Sequence, residues 1–177
     1  MSAGSDLTHL TRPALVPELV LRLADELVPV WEAAVSEDPA RGEDPPFWAF
    51  AWAGGQAVAR YLLDHPDVVA GRPVVDVGCG SGLCAVAAAR AGAGPVTAVD
   101  VDPRCGRVVA ANAAANGVTV GFRVADVRGE APPAGGVVIA GDVMYEASVA
   151  GSLRRWLEGA AAAGCTVLIG DPGRRYF

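Results

Sequence analysis

The chain has 177 residues, 52% of them hydrophobic and 19% charged, and a formal net charge of −6. That length suits one domain with a sizeable core, and the apolar content excludes disorder outside the ends. The acidic balance argues against nucleic acid, whose binding draws on basic patches, and no apolar run reaches the roughly 18 residues of a membrane span.

Residues 1–13 show no basic stretch leading into an apolar one, so they read as a loosely ordered start and not as a secretion signal. Residues 14–55 read as an N-terminal helix followed by an aromatic segment. The helix is expected over 16–35, with Leu19, Leu21, Leu23, Leu27, Val28 and Trp31 on a broad stripe and Pro17 in its first turn. The polar, proline-broken stretch 36–46 is a surface loop. FWAFAWAGG, residues 47–55, follows. Phe47 and Phe50 are expected as a hydrophobic plug on a sheet, Trp48 and Trp52 as pocket lining. Residues 56–64 read as a helix. His65 falls in a turn and His9 in the loose start, so neither is a candidate catalyst.

Residues 56–177 have the pattern of an α/β core. The run 73–77 is short and apolar, as an interior parallel strand should be. It enters Gly78-Cys79-Gly80-Ser81-Gly82, and an alanine-rich helix begins at Leu83. Glycines let a ligand approach the backbone, and the free N–H groups of the next helix favour an anionic group there. A dinucleotide turn would be G-x-G-x-x-G. Here Leu83 stands where the third glycine should be, and the pattern is G-x-G-x-G. A second strand, 95–99, ends at Asp100, about twenty residues on, where a ribose-binding acid belongs. Helix 104–116 closes on Gly117. Strand 119–124 leads to Asp126, and strand 137–140 enters Gly-Asp-Val-Met-Tyr-Glu at 141–146. Helix 147–163 and strand 165–169 complete the set. Alternating strands and helices imply a parallel sheet with a ligand at its C-terminal edge. Cys79, Cys84, Cys105 and Cys165 lack metal-ligand spacing and read as buried, inert, reduced thiols in a cytoplasmic protein. No metal site is expected.

Asp142 and Tyr145 are the candidate catalytic pair. An acid at a strand end can orient an amine and bear a transient ammonium, and a tyrosine can wall the pocket and offer a hydroxyl. The competing reading makes Asp142 the N-cap of the helix after it, Tyr145 a core residue and Glu146 a capping or solvated acid.

The glycine turn with its acids resembles the S-adenosylmethionine (SAM) site of seven-strand methyltransferases. PPFWAFAWAGGQ, VVDVGCGSGL, AVDVDP, NAAANG, GDVMYE and LIGDPGR together resemble the seven-strand protein lysine methyltransferases. The match is to the branch similar to the electron transfer flavoprotein β-subunit lysine methyltransferases, over about residues 16–174. The resemblance implies a Rossmann-like seven-strand α/β sandwich. It implies SAM as cofactor, with S-adenosylhomocysteine as product, and a protein substrate with an exposed lysine. Trp52, Asp76 and the turn Gly78, Cys79, Gly80 and Gly82 would hold the methionine end. Asp100 and Val101 would take the ribose, Asp126 and Val127 the adenine. Asp142 and Tyr145 would line the lysine channel. Cys79 and Cys105 depart from the small or apolar residues expected there. The family continues past LIGDPGR into a helix and an antiparallel strand pair, so the resemblance implies a sandwich truncated after its fifth strand. The other readings are a small-molecule N-methyltransferase and a catalytically weak SAM-binding module.

Overall fold

The computed structural model describes residues 7–41 and 45–177. Thr8–Thr11 (β1) and Leu21–Ala24 (β2) pair antiparallel, with His9 opposite Leu23. Two expectations are corrected here: the loose start as far as it is described, and the helix over 16–35. Leu19, Leu21 and Leu23 are buried while Arg22 is exposed. That spacing of two is a strand's alternation, which a helix would scatter around its circumference. Burying a leucine contributes about 2 kcal/mol, more than the helix propensity of any one residue, below about 1 kcal/mol. Only the later half of the segment is helical, Leu27–Glu37 (α1). Pro29 sits in its first turn, where a missing N–H costs nothing. Pro39–Arg41 is a short 3-10 turn inside the expected loop. Residues 42–44 of that loop lie outside the described residues, as do residues 1–6 of the expected loose start.

Phe47–Ala49 forms another 3-10 turn, and Ala53–Asp64 is helical (α2). The core then runs Val74–Val77 (β3), Leu83–Arg90 (α3), Val96–Asp100 (β4), Cys105–Ala115 (α4), Gly121–Val124 (β5), Val137–Gly141 (β6), Ala147–Ala162 (α5) and Thr166–Gly170 (β7). The strands form one parallel sheet in the order β5-β4-β3-β6-β7. The expected α/β core is borne out, with the boundaries from β3 to β7 within about two residues and α2 starting three residues before its expected first residue, 56.

The winding starts at β3, moves outward through β4 and β5, and returns to the other side of β3 as β6. Right-handed crossovers then place helices made before and after that reversal on opposite faces. Alternation along the strands shows the two faces. Val137 and Ile139 of β6 join one cluster with Leu62 of α2, Val86 of α3 and Val109 of α4. Val138 and Ala140 join another with Leu153, Trp156 and Leu157 of α5. The reversal leaves a crevice at the C-terminal ends of β3 and its neighbours.

The asparagines of NAAAN, one helical turn apart, clamp β2 onto this core. Asn112 Oδ1 accepts from the Arg22 amide at 2.7 Å, and Asn116 Oδ1 accepts from Val20 at 3.0 Å. Asn116 Nδ2 donates back to the Val20 carbonyl at 2.6 Å. Asn112 is fully buried, and its Nδ2 donates to the Ser81 carbonyl in the glycine turn at 2.8 Å. One side chain thus ties the N-terminal strand to the turn.

Candidate active site

A cleft of about 690 Å³ opens along the C-terminal edge of β3, β4 and β6. One end is built by a short piece of chain. Gly78, Gly80 and Gly82 all take left-handed backbone, φ 64°, 49° and 76°, which a side chain would strain. Asp76 lies at the end of β3, 2% exposed, and its Oδ2 accepts from the Ala85 amide at 2.9 Å. That amide is in the first turn of α3, where N–H groups lack partners in the helix. Burial pushes the Asp76 carboxyl up to about 7, against the lowering effect of the Ala85 bond and with a further push from Asp100. Asp100 ends β4. Its Oδ2 accepts from Gly80 at 2.9 Å and its Oδ1 from Asp102 at 3.0 Å. Burial raises its pKa too, with the two backbone bonds opposing.

Cys79 and Cys84 are buried thiols with pKa well above the ordinary value. For Cys79 the hydrogen bond with Cys105 acts first and burial second; for Cys84 burial dominates. All four cysteines are buried and unpaired by disulfides, as the sequence implies. Val101 is exposed at the cleft edge and Val127 is buried. Asp126 is exposed and held in a fork by Arg128, Nε to Oδ1 at 2.8 Å and Nη2 to Oδ2 at 2.6 Å. That contact lowers its pKa.

The other end is assembled from distant pieces. Asp142 follows β6, is 7% exposed, and has φ 61°, the only left-handed backbone outside glycine among the described residues. Its Oδ2 accepts from the Gly55 amide at 2.6 Å, and its Oδ1 pairs with Arg174 Nη1 at 2.5 Å. The helix it caps is therefore α2, reached across 87 residues. It does not cap the next helix: the N-cap of α5 is Glu146, without a side-chain cap bond. Tyr145 is exposed at the mouth of the cleft, its ring edge-on to Phe47 at 5.3 Å.

The aromatic segment divides differently from expectation. A 3-10 turn repeats every three residues, so Phe47 and Phe50 share a side and both line the cleft. Trp48 packs mostly into the core, 5% exposed, yet one edge reaches the cleft and its buried Nε1 has no partner among the described residues. Trp52 is at the cleft as expected. Its Nε1 donates to the Phe47 carbonyl at 2.9 Å and its ring lies edge-on to Phe47 at 5.8 Å.

Sequence reasoning passed over the residues that join these pieces. A Cβ on Gly54 would lie 2.3 Å from the Gly170 carbonyl oxygen, and one on Gly141 would lie 2.8 Å from Gly55 Cα. The Gly-Gly in the first turn of α2 and the glycines ending β6 and β7 thus let three backbones touch. The sequence alone likewise assigns no role to Arg174 and Asp171. A glycine pair ahead of a helix, and a charged pair around Pro-Gly after the last strand, were the available signals.

A parallel sheet of this order, with a glycine turn after its central strand and an acid ending the next, defines a Rossmann-like methyltransferase fold. The ribosomal protein L11 methylase from Lactobacillus delbrueckii subsp. bulgaricus shares that fold at TM-score 0.50 and 23% identity, over 65% of this chain and 56% of its own. Residues 60–144 match the family model for ribosomal protein L11 methyltransferase (PrmA). Relatives named electron transfer flavoprotein beta subunit lysine methyltransferase match nearly the whole chain. The Xenopus laevis protein is 37% identical over 96% of this chain and 69% of its own length, and the Rattus norvegicus protein is 39% identical over 93% and 64%. The chain belongs to the electron transfer flavoprotein β-subunit lysine methyltransferase family. It spans a little under two thirds of the rat protein. Among the described residues no helix is long and apolar enough to cross a membrane.

Proposed function

We propose that the chain is a SAM-dependent N-methyltransferase whose acceptor is a lysine of an electron transfer flavoprotein β-subunit. The observation that carries this is one continuous cleft joining the glycine turn to the buried Asp142 and the aromatic mouth. The relatives' names supply the acceptor.

The residues present fit the cofactor. SAM is cationic at its sulfonium and ammonium, and Asp76, Asp100 and Asp142 line the cleft. Asp100 spends one lone pair of each oxygen on the backbone, leaving others for ribose hydroxyls. The unpaired Nε1 of Trp48 is a further donor for a ligand rich in acceptors. SAM supplies a methyl group already activated on sulfur. In this reading the turn at 78–82, Asp76 and Trp52 hold the methionine end, Asp100 and Val101 the ribose, and Val127 beside Asp126 the adenine. Phe47 and Tyr145 exclude water around the entering side chain. Positioning of this kind is worth up to about 7–11 kcal/mol of barrier. Desolvation favours the neutral amine that must attack, and Asp142 orients it.

The acceptor is a protein and not nucleic acid, in keeping with the net charge of −6. A cytoplasmic location is supported by four cysteines without a disulfide. The test is transfer of tritiated methyl from SAM into a mixture of the purified β-subunit and small amines, resolved by size. Label in the β-subunit, lost when its lysines are chemically blocked, is the expected result. Label only in small molecules would make the chain a small-molecule methyltransferase. Tight cofactor binding with no label anywhere would make it a SAM-binding module.

A further inference from the structure

We infer that Arg174 is a positioning residue: it holds the Asp142 carboxylate in the orientation that receives the acceptor amine. The inference rests on the methyltransferase reading above and adds a residue to it.

Three separate pieces of chain meet at Asp142. The Gly55 amide at the start of α2 takes Oδ2 at 2.6 Å, and Arg174 Nη1 takes Oδ1 at 2.5 Å. With both oxygens engaged and the backbone left-handed at φ 61°, the side chain has no free rotation to another position. Arg174 is itself held. Asp171, its side chain 1% exposed, accepts from the Gly173 and Arg174 amides at 2.8 and 2.6 Å. That turn brings the guanidinium back to the cleft, where Asp171 Oδ2 lies 3.3 Å from Nη1. Two carboxylates against one guanidinium leave one negative charge uncompensated, which suits a cationic or incipiently cationic amine. The guanidinium remains partly exposed and lines the same cleft as Tyr145. A carboxylate has further lone pairs beyond the two in use, and these point the acceptor's way only while Arg174 fixes the plane.

The experiment compares the parent chain with Arg174→Gln and Arg174→Lys. It reads tritiated-methyl transfer from SAM to the purified β-subunit, and S-adenosylhomocysteine affinity by calorimetry. Arg174→Gln is expected to lower kcat by about 10²-fold, the scale of a misplaced reacting group, with the acceptor KM and S-adenosylhomocysteine affinity near parent values. Arg174→Lys keeps a charge without the planar fork and is expected to recover part of the rate. A parent-like kcat in Arg174→Gln overturns the inference. So does an equal loss of S-adenosylhomocysteine affinity, which would move Arg174 to the cofactor site, and so does complete absence of recovery with lysine. A parent chain that labels nothing overturns the proposed function instead. Arg174 is then judged by a double-mutant cycle with Asp142→Asn in urea unfolding, where additive losses overturn the coupling and non-additive losses support it.

Discussion

The two ends of the cleft are built in opposite ways. At the glycine turn, Asp76 and Asp100 brace backbone amides nine and twenty residues away, so one βαβ unit makes the whole arrangement. At the Asp142 end, the partners are 87 residues back and 32 residues on. The carboxylate–amide bonds of the first end need only that β3, α3 and β4 form. The second exists only after α2, β6 and β7 have docked, with Gly54 against Gly170 and Gly141 against Gly55. The braced glycine turn is therefore local, whereas the Asp142 end depends on the assembled sheet.

The sharpest way to break this comparison is to disturb the docking. A valine at Gly170 would place Cβ 2.1 Å from the Gly54 carbonyl oxygen, and backbone atoms cannot swing aside as a side-chain end can. Gly170→Val is expected to cost about 3 kcal/mol or more in urea unfolding. A parent-like midpoint would mean that α2 and β7 do not touch there.

Substitutions inside each end should then separate. Asp142→Asn keeps an oxygen for the Gly55 amide but removes the charge facing Arg174. Methyl transfer is expected to fall by about 10²-fold, with S-adenosylhomocysteine affinity unchanged by calorimetry. An equal fall in affinity would place Asp142 in the cofactor site. Asp100→Ala should do the reverse. Losing charge-assisted bonds costs about 3 kcal/mol, or about 10²-fold in S-adenosylhomocysteine affinity; unchanged affinity would remove Asp100 from the ribose site.

Asp76 gives a pH signature confined to the glycine-turn end. Its carboxyl is raised from an ordinary 3.8 to about 7, chiefly by burial. Between those values the folded chain holds a proton that the unfolded chain releases. This contribution to stability is thus complete below pH 3.8 and lost as pH rises towards 7. Asp76→Asn abolishes the decline, so its stability relative to the parent should improve from pH 5 to pH 8 in urea titrations. A constant difference across that range would mean that Asp76 does not hold the proton.

The smallest effect is expected from Tyr145→Phe. The ring stays against Phe47, so stability and S-adenosylhomocysteine affinity should not move. Transfer should fall about tenfold, the worth of one hydrogen bond. A parent-like rate would leave Tyr145 as a wall alone.

How much was legible follows the same division. The glycine turn, its two acids and the five parallel strands are written in short-range patterns: an apolar run, a turn, an alanine-rich helix, another run. The segment before them misled because leucines spaced by two also fall on a broad helical stripe. What distinguishes the readings is that β1, Asn112 and Asn116 supply partners for the backbone of β2, and those partners lie elsewhere in the chain. Likewise 3-10 winding, invisible in FWAF, turned Phe47 and Phe50 to the cleft.

By itself the sequence determined the α/β core, the place of the glycine turn and the strand-end carboxylates Asp76, Asp100 and Asp142, because hydrophobic period and turn chemistry act within about twenty residues. Only the tertiary structure decided that Asp142 caps α2 and not its own following helix, that Arg174 is its counter-ion, and that three glycine-bearing ends touch. Those choices depend on which surfaces meet when the sheet closes. A glycine that admits a distant carbonyl looks, along the chain, the same as one that merely bends it.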